Sequence, residues 1–193
     1  MKKLVSVLAL TALIFAGTTE SQAQENFGSA GLELGLPIGD WAKDFYGFTV
    51  GVSGEYEYGI SDNLGVNLGV GYQILTVQDD ASDFIKNASL IPIQLGANYY
   101  LDESRSGLFL GAKVGIHMLS VSTEDIDLGP LGSIEGDSNT ETYFSVAPQV
   151  GYFVTENISL ALRYQLFFVS EDEEAGVEGD TGSYLGLRAA WNF

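Results

Sequence analysis

Eight separate stretches of this chain alternate apolar residues with small or polar ones, and that periodicity leaves little freedom of fold. Ala30, Leu32, Leu34 and Leu36 alternate with Gly31, Glu33 and Gly35. The same rule runs through 48–58, 64–74, 91–100, 108–118, 145–152 and 158–168, and it closes the chain in Leu185, Leu187, Ala189, Trp191 and Phe193. A period of two puts successive side chains on opposite faces of a strand, whereas a helical face needs recurrence near 3.6. Short polar turns around Asp62, Ser104 and Glu156 alternate with longer connections at about 39–46, 76–87, 120–141 and 170–181. An even number of strands joined by alternately short and long connections predicts an all-β, eight-stranded, antiparallel up-and-down barrel. Both chain ends then fall on the short-turn rim.

Residues 1–23 stand outside that pattern. Lys2 and Lys3 precede a short apolar run, and Ser21 and Ala23 supply the small residues that a signal peptidase needs, so this stretch reads as a secretory signal peptide. The barrel domain is then expected over 24–193, after Sec-dependent export. The chain has no cysteine, which excludes disulfides, thiolate chemistry and a lipoprotein anchor. Its net charge is −18, with Lys43, Lys86, Arg105, Lys113, Arg163 and Arg188 the basic residues beyond the signal. So acidic a chain repels polyanions and excludes nucleic acid as a partner.

Alternation alone leaves open whether the apolar face points into a core, as in a soluble lipocalin-like barrel, or out to lipid. The apolar faces carry no charge in any of the eight stretches, and the opposite faces are largely Gly, Ser, Ala, Asn and Gln. Small polar residues suit the narrow lumen of an eight-stranded barrel, and an uncharged exterior suits hydrocarbon. Aromatics fall near strand ends. Tyr56, Tyr58, Tyr99, Tyr152, Trp191 and Phe193 lie at the short-turn side; Phe48, Phe84, Tyr143, Phe144, Phe168 and Tyr184 lie at the long-loop side. Two such bands match interfacial girdles. Tyr72 and Tyr164 sit nearer mid-strand.

The signal-like start, the eight strands and the ending "LGLRAAWNF" resemble the small outer-membrane β-barrel proteins of the OmpA/OmpX-like group, over about 26–193. The resemblance implies a barrel in the outer membrane with periplasmic termini and lipids as its surroundings. It also implies that Trp191 and Phe193 form a C-terminal signal read by the barrel-assembly machinery.

Glu33, Glu55, Lys113, Arg163 and Arg188 all fall on the polar face. Closing the barrel brings the first and last strands together, so Glu33 and Arg188 become cross-strand neighbours within a lumen ion-pair network. Charges in a narrow lumen must meet opposite charges. His117, the only histidine, invites a hydrolase reading with Ser120 and Ser122, of the kind found in lipid A-modifying barrels. Those serines have the opposite parity, however, so the expectation is no catalytic site. The long loops carry acidic clusters, Glu124, Asp125 and Asp127 in one and Glu171, Asp172, Glu173 and Glu174 in another. Weak divalent-cation binding is their candidate role, but no Ca²⁺-loop spacing is present, and neither a metal nor a cofactor is expected. The function expected is structural or surface-interacting, with acidic extracellular loops facing an unidentified partner. A narrow pore is the first alternative and a lipid A-modifying enzyme the second.

Overall fold

The computed structural model describes residues 26–38, 46–77, 85–102, 107–123, 126–127, 133–134, 138–168 and 181–193. The barrel strands are β1 (Phe27–Ile38), β2 (Tyr46–Ser61), β3 (Leu64–Val77), β4 (Ile85–Tyr100), β5 (Leu108–Thr123), β8 (Ser138–Phe153), β9 (Ile158–Phe168) and β10 (Thr181–Asn192). A two-stranded ribbon, β6 (Ile126–Asp127) with β7 (Ser133–Ile134), lies apart from them. The eight long strands close in the order β1-β10-β9-β8-β5-β4-β3-β2, every pairing antiparallel. Closure satisfies the backbone polar groups of both terminal strands, which an open sheet would leave exposed.

The barrel is inside-out relative to a soluble one. Leu32, Leu68, Leu95, Leu110 and Leu162 are exposed on the outer surface, while Glu33, Gln94, Lys113, Arg163 and Gln165 are buried in the lumen. Phe48, Phe144 and Phe168 ring the exterior toward the long-loop end, and Tyr58, Tyr99, Tyr152, Trp191 and Phe193 ring it toward the short-turn end. Two expected girdle members are not there. Tyr184 shares the parity of Arg188 and is buried inside the barrel, and Tyr143 turns inward to pack against that same interior cluster. Phe84 lies outside the described residues.

The strands also run further than the alternation predicts at the long-loop end. β4 begins at Ile85, β5 continues to Thr123 and β8 begins at Ser138. On these extensions the outward positions become Ser120, Ser122, Ser138, Thr140 and Thr142, so the ladder persists while the apolar contrast disappears. Hydroxyl pairs such as Thr140 Oγ1 donating to Ser120 Oγ, 3.1 Å, join neighbouring strands there.

Candidate functional site

Inward-facing residues divide the lumen into three layers. Toward the short-turn end, Phe27, Tyr100, Phe109 and Phe153 form an aromatic floor with ring centroids 5.5–6.1 Å apart in edge and tilted contacts. Such geometries match the quadrupoles of the rings. Phe109 fits because Gly151 stands on the adjacent strand: a Cβ at that position would sit 2.1 Å from the ring's Cζ.

The middle layer is ionic. Arg188 Nε lies 3.3 Å from Glu33 Oε1 and 3.6 Å from Glu55 Oε1. Arg163 approaches the same two carboxylates, Glu33 at 3.9 Å and Glu55 at 3.5 Å. Lys113 reaches across the lumen to Glu55. All five charged residues named from the sequence are thus brought together, with Glu55 as the shared carboxylate of three cations. Ser53 Oγ donates to Glu33 Oε1 (2.6 Å) and accepts from Arg188 Nε (2.9 Å), while Arg188 Nη2 donates to Ser29 Oγ (2.9 Å). These bonds satisfy charges that would otherwise be costly to keep from water.

Glu57 is a sixth charged member that the sequence reading left out. It shares the parity of Glu55 and is 3% exposed. Its carboxylate accepts from Tyr100 OH (2.7 Å), Asn98 Nδ2 (2.7 Å) and Asn67 Nδ2 (3.5 Å). Gln149 then links Asn98 (2.6 Å) to Arg163 (3.3 Å), so floor and ionic layer form one hydrogen-bonded network. A cavity of about 20 Å³ lies between them, lined among others by Glu55, Glu57, Tyr100 and Arg188. That is space for an ordered water.

Above the ionic layer, Leu90, Leu119, Phe167 and Tyr184 pack into an apolar collar. His117 joins it edge-on to Phe167, with centroids 4.8 Å apart, and is 0% exposed. Among the described residues, neither ring nitrogen has a hydrogen-bond partner. Ser120 and Ser122 lie on the outward side of β5, paired with Thr140 and Ser138, so neither meets the imidazole. The loop residues Glu124, Asp125, Glu171, Asp172, Glu173 and Glu174 lie outside the described residues, and Asp127 falls in the short strand β6. Among the described residues no cluster of three or more His, Cys, Asp or Glu side chains could hold a metal.

At the C terminus, Phe193 N and O exchange hydrogen bonds of 2.8 Å with Gly28 O and N, carrying the ladder to the last residue. Trp191 and Phe193 project outward.

An aliphatic exterior between two aromatic rings, around a lumen filled with paired charges, defines a transmembrane β-barrel. The outer membrane protein β-barrel domain model matches residues 8–193, and the chain belongs to that family of outer-membrane proteins. Comparison with curated proteins finds no match. Among solved structures, the N-terminal β-barrel domain of Pseudomonas aeruginosa OprF shares the fold with a TM-score of 0.55 at 16% identity, over 89% of this chain and 100% of that one. Ail, the attachment invasion locus protein of Yersinia pestis, does so with a TM-score of 0.57 at 14% identity, over 90% of this chain and 100% of that one. Neisserial surface protein A gives a TM-score of 0.50 at 17% identity, over 89% of this chain and 98% of that one.

Proposed function

We propose that this protein is a closed, non-catalytic barrel that serves the outer membrane as a structural scaffold and displays its long loops, many of them acidic, on the cell surface. The observation that carries this reading is the layered occupation of the lumen, broken among the described residues only by the small cavity between the first two layers. An aromatic floor, an ionic layer and an apolar collar follow one another along the barrel axis. A hydrated ion needs an open polar path, and each layer opposes one, the first and third by excluding water and the second by occupying the cross-section with paired charges. The short turns and both termini belong on the periplasmic side, with the exposed aromatics Trp191 and Phe193 offered to the assembly machinery and lipid surrounding the belt.

Planar-bilayer recording of the refolded protein tests the proposal. It expects insertion without stepwise conductance; reproducible discrete steps in most insertions would establish the pore instead.

A further inference from the structure

Seven of the eight strand pairs in this barrel join strands that follow one another among the barrel strands, so a connection helps to set each register. The β1–β10 seam has no such help, because its partners lie at opposite ends of the chain. Something in the strands themselves must choose the register. On the lipid face the facing pairs are Leu32 with Ala189, Leu34 with Leu187 and Leu36 with Leu185. A slip of two residues, the smallest that keeps the faces in place, exchanges one aliphatic contact for another.

The lumen face is different. Ser29, Gly31, Glu33 and Gly35 meet Asn192, Ala190, Arg188 and Gly186. Arg188 lies across Gly31, where a Cβ would sit 2.8 Å from its Nε, and it contacts both Ser29 and Glu33. The Tyr184 ring lies across Gly35, where a Cβ would sit 3.0 Å from its Cδ2. Two large side chains of β10 thus lie over two side-chain-free positions of β1, the second shared with the Thr49 hydroxyl of β2, and a carboxylate between those positions meets the guanidinium.

We propose that Arg188 and Tyr184, seated on Gly31 and Gly35 around Glu33, are the register key that selects the correct closure of the barrel. A two-residue slip moves both large side chains off their glycine seats and takes Arg188 away from Glu33. The lipid face imposes no comparable penalty. This role is separate from occupying the lumen: Lys113 fills the same layer from β5, and Glu55, although 3.6 Å from Arg188 Nε, stands on β2 and not across the seam.

The absence of native cysteines makes the test direct. L34C/L187C reports the native register, and L34C/A189C and L34C/L185C report the two directions of slip. In the native barrel both slipped pairs are diagonal, somewhat under about 7–8 Å between Cβ atoms and beyond disulfide reach of about 3.5–4.5 Å. Each pair is placed in the otherwise native chain, in E33Q/R188M, in E33Q/R188M/Y184L and in E55Q/K113M. The proteins are folded into phospholipid vesicles and oxidised, and the folded fraction is read by heat-modifiable migration. The native chain and E55Q/K113M are expected to form the native disulfide alone. E33Q/R188M should raise a slipped disulfide by about tenfold or more, and adding Y184L should raise it further. Retention of a single native register in both seam variants overturns the proposal. Failure of both to fold while E55Q/K113M folds also overturns it, because the seam pair then acts on stability and not on register.

Discussion

Replacing Glu55 by glutamine removes the one carboxylate that three cations share. The consequences differ among the three. Arg163 and Arg188 keep Glu33, at 3.9 and 3.3 Å. Lys113 is 1% exposed, and its ion-pair partner among the described residues is Glu55. E55Q therefore strands a buried ammonium, a loss of about 3–5 kcal/mol for one broken buried pair. With a denaturant dependence of about 2 kcal/mol/M, the urea midpoint falls by roughly 1.5–2.5 M. E55Q/K113M takes the stranded charge away as well, and neutral replacements of buried pairs are tolerated, so most of that loss should return. The measurement is urea unfolding in phospholipid vesicles, with the folded fraction read from unboiled gel migration. A double-mutant cycle over native, E55Q, K113M and E55Q/K113M isolates the coupling, expected at about 1–3 kcal/mol. If E55Q and E55Q/K113M unfold within about 0.5 kcal/mol of one another, below the range expected for coupled neighbours, the hub reasoning is refuted.

Two further predictions rest on neighbouring features. H117L removes from an apolar collar two buried nitrogen atoms that have no partner among the described residues, and should raise stability by about 1–3 kcal/mol in the same titration; a loss would refute the reading of the imidazole as unsatisfied. L162R on the outer face of β9 should cost about 2–4 kcal/mol if that face meets hydrocarbon, whereas the same change on a water-exposed strand stays within about 0.5 kcal/mol.

Parity made much of this architecture legible from residues alone. Glu33 and Arg188 share the polar face of the first and last strands, and closure had only one way to bring those strands together. Height along the barrel was harder to read. Each strand's register and tilt set which lumen residues meet, and alternation carries neither. Glu57 has the parity of Glu55, yet its partners Tyr100 and Asn98 arrive from β4 at a depth only the register reveals. The aromatic floor is hidden similarly, since Phe109 and Phe153 occupy lumen positions at strand ends where an aromatic suggests a girdle. Tyr184 has the height of the outer ring, but its parity places it inside. The strand extensions are not legible because Ser120 and Thr142 end the apolar contrast without ending the ladder.

Those extensions bear on how the protein sits beside lipid charge. From Ser138 to Tyr143, β8 carries six residues beyond the outward Phe144. At about 3.3 Å per residue and a tilt near 40°, the three residues from Phe144 put Glu141 about 8 Å above the aromatic ring, and the six to Ser138 reach about 15 Å. Glu141 rides on that stretch, exposed to water. The Debye length at physiological ionic strength is about 8 Å, so Glu141 stands about one such length above the ring and its repulsion by anionic headgroups is reduced, not removed. For a chain with a net charge of −18, strands that continue past the aromatic ring lessen the electrostatic cost of carrying such a carboxylate beside an anionic lipid surface.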